Sequence, residues 1–116
     1  MLKQILDSRG LLSIVNCNDL PFMPKRVFVR ENIVLNEIIG NHYHKKLEEV
    51  IFVLQGSCNV VLQDMVNKRI ESFKINAGDN LYLKTYTKLK LTSCVENTSI
   101  IVFCSESYDP EDVFSD

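Results

Sequence analysis

The sequence predicts an all-β domain, built as an antiparallel sandwich or barrel. Three observations carry that expectation. Short β-rich runs recur along the whole chain, separated by turn residues. One run, RIESFKI (69–75), alternates from side to side with a period of two. Two others, IFVL and IIVF, are apolar on both faces, as central strands between two layers are.

In chain order, LLSIVNC (11–17) is a strand that Asn18-Asp19 and Pro21 bring to an end. KRVFVRE (25–31) and NIVLNEII (32–39) read as the next two strands. EVIFVLQ (49–55) and CNVVLQ (58–63) flank Gly56-Ser57, and the polar stretch 64–68 separates them from RIESFKI. That run sets Ile70, Ser72 and Lys74 on one face and Arg69, Glu71, Phe73 and Ile75 on the other. Asn76-Ala77-Gly78-Asp79 turns the chain into NLYLKT (80–85). KLKLTSCV (88–95) follows, with Leu89 and Leu91 on one side, and Glu96-Asn97-Thr98 leads into SIIVFCS (99–105). Only LKQILD (2–7) and DPEDVF (109–114) are expected to form a helical turn.

At 116 residues the chain is long enough for one domain, residues 1–116, with a core of its own. An apolar content of 46% with 24% charged residues fits an ordinary globular chain. A net charge of −2 and the absence of a concentrated basic patch exclude a nucleic-acid partner. No apolar run approaches the roughly 20 residues that cross a bilayer, so no membrane partner is expected. Charges at Lys3, Asp7 and Arg9 interrupt any signal-peptide core, which makes the cytoplasm the expected location. Cys17, Cys58, Cys94 and Cys104 are scattered, and are expected as buried small hydrophobes rather than zinc ligands or a disulfide frame.

The chemistry concentrates in GNHYHKKLEEVIFVLQG (40–56), which contains the only two histidines, His42 and His44. On a strand, residues i and i+2 share a face, so the two imidazoles project together and Tyr43 points away. If Lys45-Lys46-Leu47 turns the chain, Glu48 or Glu49 approaches them from the neighbouring strand. Three uses remain open: a metal site, an acid–base pair, or two histidines that share a face without a task.

The spacing H-x-H-x4-E-x6-G, from His42 through Glu49 to Gly56, is similar to the first motif of the cupin superfamily. That resemblance implies an antiparallel double-stranded β-helix, or jelly roll. The second cupin motif, set on Gly78-Asp79, places Leu89 where metal-binding cupins carry their last histidine. His42, His44 and Glu49 still make a candidate metal triad with open positions.

A narrower resemblance runs over nearly the whole chain. DSRGLLSIVNCNDLPFMPKRVFV, GNHYHKKLEEVIFVLQGSCNVVLQD, GDNLYL and SESYDPEDVF resemble, in that order, the sugar-nucleotide 3,4-ketoisomerases. The resemblance implies a metal-free isomerase without cofactor, acting on a nucleotide-linked 4-keto-6-deoxyhexose for surface polysaccharides. It implies His42 and His44 as the acid–base pair. Arg26, Tyr82 and Lys84 become candidates to meet the nucleotide or diphosphate from the same cavity. It also implies a homodimer, to which LLSIVNC and KRVFV are suited as apolar segments that add to a partner's sheet.

The chain departs from the family pattern at named places. Ile39 stands where members usually carry an arginine before the glycine. Phe28 and Val29 replace two tyrosines, and Tyr43 replaces a small residue between the histidines. These departures leave a divergent or noncatalytic sugar-nucleotide-binding cupin, or a metal-dependent one using His42, His44 and Glu49, as alternatives.

Overall fold

A computed structural model describes residues 1–116. It contains ten strands: β1 (Leu2–Asp7), β2 (Gly10–Val15), β3 (Arg26–Ile33), β4 (Ile39–His42), β5 (Glu49–Gln55), β6 (Ser57–Asp64), β7 (Ile70–Asn76), β8 (Asn80–Leu83), β9 (Thr87–Ser93) and β10 (Thr98–Cys104). Two four-stranded antiparallel sheets form, in the orders β3-β10-β5-β8 and β4-β9-β6-β7, with β1 and β2 as a separate hairpin. This is the all-β jelly roll that the strand pattern and the cupin spacing foretell.

The main core lies between the two sheets, because each contributes one apolar face. Ile51 and Val53 of β5, Leu81 and Leu83 of β8 and Ile100 and Val102 of β10 meet Val60, Leu62, Leu89 and Leu91 of the opposing sheet. The even-numbered side chains of β5 leave by its other face. Val50 and Phe52 pack there with Leu20 and Phe103, and Leu2, Val15 and Phe22 cover them. Phe52 and Phe103 meet edge to face at 5.7 Å, a favoured aromatic geometry. The doubly apolar runs are thus central strands covered on both sides. β7 is an edge strand, and of its residues only Ile75 is buried.

Two local expectations need correction. LKQILD is not a helical turn but strand β1, paired with β2 from Leu2↔Val15 to Asp7↔Gly10. A six-residue helix is too short to offset its own nucleation, whereas the hairpin supplies a ladder. NIVLNEII is not one strand. β3 runs on to Ile33, and Asn32 and Asn36 adopt left-handed backbone (φ 50° and 64°), which breaks the run before β4. The tail does form its turn, a 3-10 turn at Pro110–Asp112.

Candidate active site

The histidine pair owes its direction to a bulge. β4 pairs with β9 through Ile39↔Leu91 and Gly40↔Lys90, then skips a residue to His42↔Leu89. Gly40 (φ 90°) and Asn41 (φ 66°) absorb the extra residue with left-handed backbone. Gly40 is also forced by space, since a Cβ there would lie 2.7 Å from the Leu89 carbonyl oxygen. The skip places Ile39 and His42 on the same, inward side despite their odd spacing. Ile39 packs against the main core, whereas His42 reaches the open end of the barrel.

Beyond His42 the chain leaves the ladder. Tyr43 turns away from His42 to a buried site beside Tyr86 and Phe114, while His44 returns to the side of His42. The two imidazole centroids lie 5.0 Å apart with rings at 84°. His42 Nδ1 lies 3.0 Å from the Gly40 carbonyl oxygen, and His44 Nδ1 lies 2.6 Å from that of Asp112. A carbonyl only accepts, so each Nδ1 carries the proton and donates. Both Nε2 atoms are left as the basic nitrogens of the neutral rings.

Asp112 shapes the turn after His44. Its carboxylate accepts from the backbone N–H groups of Lys45, Lys46 and Leu47 at 2.9–3.2 Å. Burial pushes this carboxyl up, but the three N–H donors and His44 outweigh it and hold it below the usual carboxylate range. The segment that contains it, residues 106–114, crosses the barrel mouth as a strap. It is fastened again where Phe114 exchanges backbone hydrogen bonds with Tyr43.

Glu49 opens β5 on the same inner side. Its Oε1 lies 3.8 Å from His44 Nε2, and its Oε2 is 3.9 Å from the Cys104 Sγ. Burial raises the Glu49 carboxyl above its ordinary range, against the opposing pull of His44, His42 and Arg26. Burial, with Glu49 beside it, pushes the Cys104 thiol up to about 11, so that thiol is not a nucleophile at neutral pH.

The histidines open into a cavity of about 750 Å³. β3 lines it with Arg26, Phe28 and Arg30, and the strap with Tyr108 and Asp109. The Arg26 guanidinium lies 5.0 Å from the Phe28 ring centroid and 5.6 Å from that of Tyr108, which hold it by cation–π contact. Lys25, also in the wall, is paired with Glu106 at 2.9 Å. The cavity therefore joins two basic imidazoles to a cationic wall.

Of the residues expected to share this cavity, Arg26 does and Tyr82 and Lys84 do not. β8 pairs with β5 as Glu49↔Leu83 and Val50↔Tyr82, so Leu81 and Leu83 face inward and Tyr82 faces out. Tyr82 and Lys84 line a separate concavity of about 440 Å³ with Arg69 and Glu71. There Tyr82 donates its hydroxyl to Glu48, and that bond, with burial, pushes the phenol up to about 12. Arg30 and Asp112 were not singled out by sequence. Arg30 was available by parity, lying four residues from Arg26 on one strand face. Asp112 carried no local signal beyond its place in Y-D-x-x-D.

His42, His44 and Glu49, the candidate metal triad, line one cavity. No three His, Cys, Asp or Glu side chains converge closely enough to hold an ion. Leu89, the ladder partner of His42, directs its side chain into the main core and offers no further ligand.

Residues 1–116 match the family FdtA: WxcM-like, C-terminal. The chain belongs to this family. It is 33% identical over 112 residues to TDP-4-oxo-6-deoxy-alpha-D-glucose-3,4-oxoisomerase of Aneurinibacillus thermoaerophilus, covering 95% of this chain and 79% of that one. Among solved structures, it is similar to the TDP-quinovose 3,4-ketoisomerase WlaRB of Campylobacter jejuni, with TM-score 0.84, 30% identity and coverage of 99% and 88%. The 3,4-ketoisomerase QdtA of Thermoanaerobacterium thermosaccharolyticum, in complex with TDP, gives TM-score 0.85 at 27% identity, covering 99% and 84%. A dTDP-4-dehydrorhamnose 3,5-epimerase of Bacillus anthracis, at 17% identity and TM-score 0.79, shares the fold.

Proposed function

We propose that the chain is a sugar-nucleotide 3,4-ketoisomerase. It moves the keto group of a TDP-linked 4-keto-6-deoxyhexose from C4 to C3, in the cytoplasm, in the making of surface-polysaccharide sugars. The observation that carries this reading is the tautomeric arrangement of the pair. Two imidazoles 5.0 Å apart, each fixed through Nδ1 by a backbone carbonyl, hold basic Nε2 atoms within one cavity that Arg26 and Arg30 also line.

The chemistry needs one base and one acid near neutral pH, which imidazole supplies in both forms. The base takes the C3 proton, and the electron pair becomes the C3–C4 double bond with the negative charge on O4. The O3 proton passes to O4, and C4 receives a proton as the ketone forms at C3. His42 Nε2 makes no hydrogen bond within the chain, which suits a base. His44 Nε2 lies 3.8 Å from the Glu49 carboxyl, and this second imidazole is assigned the role of acid.

Arg26 and Arg30 are assigned to the diphosphate, because both line the cavity and guanidinium matches phosphate geometry. They also bring cations to a wall where Phe28 supplies no phenol. The reaction calls for no cofactor, because the oxidation of C3 is balanced by the reduction of C4 within one molecule and no group is transferred. The working form is a homodimer, which the exposed Leu6, Leu11 and Leu12 of the hairpin and Val27 and Val29 of β3 support.

The test is incubation with TDP-4-keto-6-deoxyglucose in D2O, followed by NMR. Deuterium entering the sugar ring, with a 3-keto product, is expected. Tight TDP-sugar binding without exchange at any pH would favour the noncatalytic reading, which a phenylalanine at Phe28 in the cavity wall, in place of a phenol, supports.

A further inference from the structure

We propose that Asp112 is the positioning residue that sets both the direction and the tautomer of His44. This rests on the ketoisomerase reading of the pair and deepens it. Asp112 is the most buried charged residue, at 7% exposure, and it uses two different groups for two tasks. Its carboxylate gathers the N–H groups of Lys45, Lys46 and Leu47, the turn immediately after His44. Its own backbone carbonyl accepts the Nδ1 proton of that same histidine. The side chain therefore fixes the distance between the strap and the turn, and the main chain uses that distance to orient the imidazole.

The strap is built to deliver this carbonyl. The Asp109 side chain accepts from the Glu111 N–H and opens the 3-10 turn, in which Asp112 N–H donates to the Asp109 carbonyl. Two residues later Phe114 is held by Tyr43, the residue between the two histidines. His44 thus sits in a loop closed on both sides by the strap. His42 depends on none of it, because its Nδ1 donates within β4 to Gly40. The two histidines have the same tautomer for independent reasons, which makes His42 an internal control.

Asp112→Asn tests the assignment. Asparagine keeps the size but turns an NH2 donor toward backbone N–H donors, so the turn and strap must separate. With only two histidines, ¹⁵N-histidine NMR reads each ring's tautomer directly. In the wild type above pH 8, both rings are expected in the Nδ1–H form. In folded Asp112→Asn, His44 is expected to move toward Nε2–H while His42 stays unchanged. The kcat is expected to fall roughly 10- to 100-fold, the usual effect of losing a partner that orients a working side chain, with KM within a few-fold.

Wild-type His44 in the Nε2–H form would overturn the proposal without any variant, so a misfolded variant leaves it testable. A folded Asp112→Asn protein with His44 still fully Nδ1–H would overturn it equally. So would an equal change in both rings. Failure of the ketoisomerase reading shows separately, as wild-type protein without deuterium exchange while the tautomers follow the expected pattern.

Discussion

Glu48 and Glu49 are consecutive residues that end on opposite sides of one sheet. Glu49 turns inward to His44, Cys104 and the cationic cavity. Glu48 turns outward, where it accepts the Tyr82 hydroxyl beside a smaller concavity with Arg69 and Lys84. Both regions hold carboxylates, cations and an aromatic ring, so residue type does not distinguish them. What distinguishes them is depth and convergence. The inner face gathers basic nitrogens with fixed tautomers, whereas the outer face holds one hydrogen-bonded pair among solvated charges. Pleat parity assigns each side chain to its region, and the bulge at Gly40-Asn41 resets that parity just before the histidines.

The largest expected effect lies on the inner face. His42→Asn and His44→Asn each keep a polar side chain but remove the group that exchanges a proton near neutral pH. Each is expected to lower solvent-deuterium exchange into the sugar by about 10²–10⁴-fold, the range for loss of a general acid or base. TDP binding by calorimetry should stay near wild type. Wild-type exchange in both variants would remove the chemical distinction between the two faces.

Ile39→Arg tests the reset of parity. The bulge sends Ile39 inward, half-buried against the core beside Leu91, rather than into the cavity. A guanidinium there has no carboxylate partner, so a loss of roughly 1–3 kcal/mol is expected in urea unfolding. An undiminished midpoint with raised turnover would show instead that the new side chain reaches the cavity and restores a missing cation.

Glu49 and Asp112 should respond to pH with opposite signs. The folded Glu49 carboxyl is raised, mainly by burial, so it favours the fold below its unfolded value near pH 4 and loses that contribution as pH rises through the folded value. Glu49→Gln should therefore gain in Tm relative to wild type between pH 4 and pH 7. Asp112 is depressed, because its N–H donors outweigh burial, so its contribution is present above about pH 4 and lost as pH falls through the folded value. The Tm deficit of Asp112→Asn should be largest at neutral pH and shrink in acid. Parallel curves for the two variants would contradict the opposed surroundings of the two carboxyls.

Much of this was legible in the sequence, because strands announce themselves by period. EVIFVLQ is β5 to the residue, and the i, i+2 rule places His42 and His44 together as drawn. Turn geometry was less legible. The helical reading of LKQILD missed a hairpin partner, and NIVLNEII hid two asparagines in left-handed backbone. Tyr82 and Lys84 were misplaced because which face of β8 turns inward depends on its register with β5, and one strand alone does not specify that. Asp112 lies 67 residues from Lys45, and only the folded chain brings its carboxylate to that turn.

The smallest expected effects belong to the outer face. Tyr82→Phe removes the hydroxyl held by Glu48, and the ring remains packed beside Val50 and Phe52. The pair is partly exposed, so its loss is expected to lower stability by only about 0.5–1.5 kcal/mol, the net value of one hydrogen bond. Lys84→Ala removes an exposed cation and should change stability by less than about 0.5 kcal/mol. Neither side chain touches the histidine cavity, so deuterium exchange and TDP affinity should both stay within about twofold, a difference of under 0.5 kcal/mol. A tenfold loss of TDP affinity in Lys84→Ala would mean that the nucleotide reaches around the sheet edge and that the two faces form one site. Loss of affinity in Arg26→Ala but not in Lys84→Ala is the outcome expected if the inner cavity alone holds the ligand.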